Sequence, residues 1–358
     1  MKFNRNALHR LVSALAIALL LNVSALAQKP EKIQINRNDK NHRVDIVIDG
    51  QPFTSYFYPG ETVLKKAVLY PIRTAKGTLI TRGWPLDPRP GERVDHPHHV
   101  GMWLNYEDVN GYDYWNNSTA IIGSMRNRKF GTIRHTGVKS LGAKNGKAEL
   151  VVTADWVADD GKGPVTLKEE TMYVFSGSGD LRTIDRITTL TAVIDVAFKD
   201  VKDGMVAIRL ARELEHPATK ADVFTDASGV ETKVPKLDNT GVVGSYRNSE
   251  GVQGETVWSK RAKWMNLRGK IGNEDISLAI LDHPANVGYP TYWHARGYGL
   301  YAANPLGQAA FSNGKENLNY SLPAGKSVTF RYRVLINSGP LSDEALNAAE
   351  EAFSKEVK

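Results

Sequence analysis

The chain has no cysteine. It therefore has no disulfide, no thiol nucleophile, no iron–sulfur cluster and no cysteine for a lipid anchor. Long apolar runs are also missing. The stretch Leu11–Leu21 is the most apolar segment, and it is too short for a membrane span of roughly 20 residues. There is no Gly-x-Ser-x-Gly elbow, no His-Glu-x-x-His helix, no Walker loop and no Gly-x-Gly-x-x-Gly after a strand, which lowers the standing of nucleotide and hydride chemistry. No internal repeat or low-complexity linker is present. Charge of one sign is weak as well: 46 Lys and Arg face 39 Asp and Glu, and the signs are interspersed, as in Lys168-Glu169-Glu170. That is a solvated surface and not a nucleic-acid stripe.

Lys2, Arg5 and Arg10 precede the short apolar run, and Ala25-Leu26-Ala27 closes it with small residues. This order predicts a secretory signal over residues 1–27, cleaved before Gln28, and a periplasmic or secreted protein. Its loss would take three basic and no acidic residues with it, leaving a mildly basic chain. Residues 28–358 are expected to form a single domain.

Strand signals dominate that remainder. Val44, Ile46 and Ile48 alternate with polar residues, Asp49-Gly50 has turn chemistry, and Phe53–Tyr58 resumes as a strand. Lys147–Val157, Thr166–Phe175 and Leu181–Thr191 are separated by Gly-rich turns, which predicts antiparallel meanders. In Ser327–Ile336, the apolar Val328, Phe330, Tyr332 and Val334 share a face. A helix is expected over Asp343–Lys355, with Ser342 as its cap and Ala345, Leu346, Ala349 and Phe353 facing the sheet.

Two stretches depart from this rhythm, 82–117 and 258–307, both dense in Gly, Pro, Trp, His and Asp. Such loops on a β scaffold are where sites are built. Asp95-His96-Pro97-His98-His99 holds three of the nine histidines. Read as extended chain, it places His96 and His98 on one face, able to grip one divalent metal or one substrate, with His99 opposite. A cupin-like site would need a Glu shortly afterwards, where Val100-Gly101-Met102-Trp103 stands instead. Trp103, Asn105 and the aromatic, Asn- and Asp-rich run to Trp115 suit a sugar platform equally with core packing. In the second stretch, His294 and Arg296 would share a face if this were a strand, and Arg296 offers a planar fork to an oxygen.

The blocks Asp95–Trp103, Asp108–Gly111, Trp258–Trp264, Asp282-His283-Pro284 and Tyr298–Gly307 together resemble the PmoA-like domain family over roughly residues 45–340. The family's methane oxygenase label comes from an integral membrane subunit, and no span remains here beyond the signal. The resemblance implies an exported protein tied to carbohydrate degradation. More weakly, the strand pattern is similar to the aldose mutarotases, which implies an all-β, large antiparallel sandwich with a C-terminal helix. The mutarotase likeness also implies acid–base roles for His98 or His99 and for Asp282. The expected activity is proton transfer on a sugar or oxidised sugar, by an epimerase, lyase or hydrolase. His98, His99, Asp282 and His294 would be catalytic, and Trp103, Asn105, Arg296 and Asn304 would bind substrate. His96 and His98 are the candidate ligands of a divalent metal. The competing expectation is a non-catalytic carbohydrate-binding protein.

Overall fold

The computed structural model describes residues 32–121, 125 and 127–356. The expected signal segment lies outside them. The chain order of strands begins with β1 (Ile33–Asn38), β2 (Arg43–Ile48), β3 (Gln51–Phe57), β4 (Val68–Ile72) and β5 (Met102–Tyr106). It continues through β6 (Thr132–Lys144), β7 (Lys147–Val157), β8 (Val165–Ser178), β9 (Leu181–Ala192), β10 (Val196–Ala197) and β11 (Gly204–Arg209). The last part holds β12 (Ser245–Asn248), β13 (Trp264–Ile271), β14 (Glu274–Asp282), β15 (Tyr292–Ala295), β16 (Leu300–Asn304), β17 (Ser321–Leu322) and β18 (Ser327–Ser338).

These strands form two eight-stranded antiparallel sheets and one short pair, β10–β17. The first sheet runs β1-β2-β3-β4-β5-β11-β16-β15 and the second β12-β13-β14-β18-β9-β8-β7-β6. The architecture is thus the expected all-β antiparallel sandwich with a C-terminal helix. Asp49 and Gly50 both take positive φ, the backbone that a tight β2–β3 hairpin requires. Ile46, Ile48, Phe53, Leu150, Phe175, Phe330 and Val334 belong to one apolar core shared by the two sheets. Each such side chain contributes roughly 1.5–3 kcal/mol by burial, which sets the register of the alternating strands.

The C-terminal helix, Asp343–Ser354, caps itself with Ser342 Oγ on Ala345 N–H. Leu346 and Phe353 pack on Trp264, Leu281 and Leu335, on the outside of the second sheet. Asp343 anchors the first turn through Arg247, at 2.6 to 3.1 Å.

The stretch 258–307 is not a loop as its composition suggests. It contains β13 to β16. Strands β5, β11, β15 and β16 are buried at every position, so they lack the alternation that marks a half-exposed strand. Something covers the outer face of the first sheet, and that face holds the candidate site.

Candidate functional site

Register across the first sheet places Leu104, Val206, Ala303 and Trp293 in one row, and all four face the shared core. The adjacent row, Trp103, Ala207, Ala302 and His294, therefore faces outward. Two residues along each strand, Asn105, Arg209, Leu300 and Asn304 share that outer face. Trp103 and His294 stand three strand spacings apart, about 14 Å, over a floor of two alanines.

The histidine loop is laid over this face. It is not extended: His99 N–H donates to His96 O at 3.0 Å, closing a turn, and His96 takes φ +42°. Backbone strain of this kind costs about 1–3 kcal/mol and is held by its surroundings. Here the holder is Arg82, 1% exposed, whose guanidinium donates to the carbonyls of Arg93, Asp95, His96 and His99 and to the Asp95 carboxylate. Arg209 donates to the same carboxylate at 2.6 Å. Burial alone would raise the Asp95 pKa, but Arg209 and Arg82 outweigh it and hold the group well below the usual carboxylate range. Gly101 follows at φ +59°, where a Cβ would overlap Leu69 O, so only glycine lets the loop enter β5.

The turn gathers the rings that extended chain would have separated. His96 stacks on His99 (4.8 Å, 2°) and on Tyr298 (5.0 Å, 3°). His98 meets His99 edge-on at 4.3 Å, and His99 stacks on Trp103 at 5.2 Å with Trp115 at its edge. Through Tyr298, the Asp95–His99 loop and the Tyr292–Asn304 stretch come together although some two hundred residues separate them.

Hydrogen-bond partners fix the tautomers. A guanidinium only donates, so His99 Nδ1, 3.3 Å from Arg209 Nη1, accepts and the proton sits on Nε2. Burial, then the neighbouring His98, His96 and arginines, keeps His99 neutral by pushing its pKa well down. His98 is driven the same way by burial and by Lys66. His294 is the reverse tautomer: Nδ1–H donates to Lys202 O at 3.1 Å, with Asp203 Oδ1 at 3.4 Å, which leaves Nε2 as the acceptor. Burial lowers its pKa to about 4 against the pull of Asp203.

Five buried polar atoms of this cluster have no partner among the described protein atoms: His96 Nδ1, His98 Nε2, His99 Nε2, Trp103 Nε1 and Asn105 Oδ1. Leaving such an atom unpaired costs about 1–3 kcal/mol. Arg82 Nε and Arg209 Nε beside the loop are unpaired as well. These ring-edge atoms and one amide carbonyl make this loop and the face beneath it the candidate site.

Three groups escaped the sequence reading. Lys66 is 5% exposed, donates Nζ–H to His98 O at 2.7 Å and lies 5.4 Å from the Trp103 ring centre. Burial lowers its pKa to about 7, with Asp113 in partial opposition. Glu107 follows Asn105 on the outer face just past β5, and Asp203 precedes β11 beside it, joined by Glu107 N–H donating to Asp203 O. Burial and then Asp203 raise Glu107 to about 7, although Arg128 donates to it at 2.6 Å. Burial would raise Asp203 too, but His294 and Lys202 hold it lowered. Nothing in "Lys65-Lys66" or in "Tyr106-Glu107-Asp108" marks these letters out, since burial and register alone give them their setting.

Other expected residues stand elsewhere. Asp282 ends β14 in the second sheet, and its oxygens accept from Asn286 Nδ2 (2.7 Å) and Thr291 N–H (2.8 Å). Burial raises it to about 7, so a perturbed carboxyl exists there, serving the junction of loop and sheet. Asn304 is in the right row, but its amide is fully used: Nδ2 donates to Val201 O and Lys202 O, and Oδ1 accepts from Leu306 and Gly307. Arg296 does not share a strand face with His294, because β15 ends at Ala295 and the chain turns. Its exposed guanidinium lies over Trp258 and Tyr298 at the rim. The two-imidazole metal grip is not formed as expected. His96 and His98 are edge-on at 5.7 Å, and His96 Nδ1 lies 2.9 Å from Asp95 Oδ2 but off the line of a good hydrogen bond. Among the described residues, no group of three or more His, Asp or Glu is placed to hold a metal.

No curated protein matches the sequence. Among solved structures, the chain is similar to the galactosidase domain of the alpha-galactosidase-sucrose kinase AgaSK, at 10% identity and TM-score 0.39, covering 85% of this chain and 42% of that one. It is also similar to the GH36 alpha-galactosidase AgaB from Geobacillus stearothermophilus (9% identity, TM-score 0.36, 85% and 41% covered). A galactose mutarotase related enzyme from Lactobacillus acidophilus aligns over 87% of this chain and 99% of its own (8% identity, TM-score 0.31). The chain thus spans less than half the length of the galactosidases it matches. The model of a family of unknown function, DUF6807, matches residues 43–351, nearly all of the sandwich just described, and the chain belongs to that family.

Proposed function

We propose that the protein is an exported, carbohydrate-active enzyme that moves protons on a sugar or oxidised sugar, as an epimerase, lyase or hydrolase does. The observation that carries this reading is the set of orphan polar atoms on His98, His99, Trp103 and Asn105, gathered against the Trp103 and Trp115 rings. Sugar hydroxyls would accept from His99 Nε2–H and Trp103 Nε1–H, and one would donate to Asn105 Oδ1. His294 Nε2 would take a proton, oriented from behind by Lys202 O and Asp203, while Glu107 would return one near neutral pH. His99, held neutral, would act as a fixed hydrogen-bond donor to a developing negative charge. The likeness of the Asp95–Trp103 and Tyr298–Gly307 blocks to PmoA-like domains belongs to the same proposal, as does export.

The test is conversion of a panel of aldoses, ketoses and uronic acids followed by NMR. His294→Asn should lower turnover on the order of 10² to 10⁴ with the fold intact. Unchanged turnover would remove His294 from the chemistry. A second reading, sugar binding without turnover, is favoured by the neutral state in which burial holds His98 and His99. It predicts that His294→Asn and Glu107→Gln leave affinity unaltered and that no sugar in the panel is converted by the wild type.

A further inference from the structure

We infer that Lys66 is a nucleophilic amine, placed to form an imine with the aldehyde or keto carbon of an open-chain carbonyl compound. The inference rests on the proposed site and names its substrate class. Lys66 has one hydrogen bond, to the His98 carbonyl, and lies on the indole of Trp103. The contrast with its neighbour is direct: Lys65 pairs with Asp160 at 2.9 Å in an ordinary ion pair. For Lys66 the one carboxylate acting on it, Asp113, spends its own oxygens on Trp115 N–H, Asn116 and Arg128.

An ammonium buried without a counter-ion is costly, whereas a neutral amine can donate one N–H to His98 O and keep its lone pair. That is the setting in which lysines become nucleophiles, and the lowered proton affinity already noted is its electrostatic expression. A cavity lies next to the residue as well. Lys66 is among the residues lining about 350 Å³ between the β3–β4 connection and β6, with Tyr58, Leu64, Ile133 and His135, while its Nζ turns to His98 and Trp103.

The step is balanced without any redox partner. The Nζ lone pair attacks the carbonyl carbon and both N–H protons pass to the oxygen, which leaves as water when C=N forms. Water reverses the sequence. An imine so formed makes the adjacent carbon more acidic, which fits proton transfer on a sugar.

The experiment is reductive trapping of the full-length protein with D-glyceraldehyde and sodium cyanoborohydride at neutral pH, followed by intact mass and peptide mapping. The expected result is one early adduct on Lys66, formed at least about tenfold faster than on Lys65, because an ordinary lysine is almost wholly protonated at that pH. Lys66→Arg should remove that adduct and leave the slow labelling of other lysines unchanged. If Lys66→Arg fails to fold, the Lys66-to-Lys65 ratio in the wild type still decides. Labelling of Lys66 no faster than Lys65 would overturn the inference, and sugars that still bind would leave the proposed function standing. Fast labelling of Lys66 in a protein that binds no sugar would instead overturn the proposed function alone.

Discussion

Replacing Asp95 with alanine tests how the histidine loop is held. The wild-type carboxylate is shared by two guanidinium groups, Arg82 and Arg209, of which Arg209 is wholly buried. Removal leaves Arg209 with His99 Nδ1 and a Glu215 oxygen 4.0 Å away, and leaves Arg82 with carbonyls alone. Two cations would then face each other without their common counter-ion. Breaking one buried pair costs about 3–5 kcal/mol, mostly the penalty of the charge left behind. For a chain of this size that lowers Tm by roughly 6–10 °C, taking the shallow end of the usual conversion. Because Asp95 has its pKa depressed on folding, its contribution is complete above its ordinary value near 4 and is lost only as pH falls below that. The difference in Tm between wild type and variant, read by calorimetry, should therefore stay constant from neutrality down to about pH 5 and narrow below 4. A Tm within about 2 °C of wild type at neutral pH would refute the idea that this carboxylate holds the loop.

Three further outcomes are expected. His294 has its pKa lowered on folding to about 4, so its stabilising contribution is full above its ordinary value near 6.5 and disappears as pH falls through 4. Urea unfolding between those limits should show a shallower pH dependence in His294→Asn, by roughly 3 kcal/mol across the window, and parallel curves would contradict the assignment. Asp282→Ala should cost about 1–3 kcal/mol by leaving Thr291 N–H unpaired, Asn286 keeping its bonds to Arg331, yet sugar affinity measured by calorimetry should be unchanged in the folded fraction. N-terminal sequencing of exported protein should begin at or near Gln28, and an intact Met1 would remove the signal-peptide proposal.

What was legible in the sequence, and what was not, follows from burial. Strands β2, β7 and β18 have one wet face, so their alternating letters announce both strand and register. Strands β5, β11, β15 and β16 are covered on both faces, and their even burial erases the same signal. The density of histidine and tryptophan pointed to the stretch in which the candidate site is proposed. Its geometry was hidden, because extended chain and a turn at His96 put the three imidazoles in opposite relations, and Arg82, which decides between them, lies outside the motif. Polar residues were the least readable. Asn105 and Asn304 stand on one face of one sheet, yet Asn304 spends its whole amide on backbone while Asn105 keeps its carbonyl unpaired. Lys66 and Arg209 are common letters whose chemistry comes from what surrounds them.

The central claim is that the orphan imidazole edges are where ligand binds. It is tested most directly by two-bond nitrogen–proton NMR of ¹⁵N-histidine-labelled protein, titrated with the sugar that binds most tightly. The account predicts that His99 is the Nε2–H tautomer and His294 the Nδ1–H tautomer, both neutral at neutral pH, with ligand shifting Nε2 of His98 and His99. A His99 that titrates near pH 6.5, or a sugar that binds and leaves both Nε2 signals in place, would contradict it.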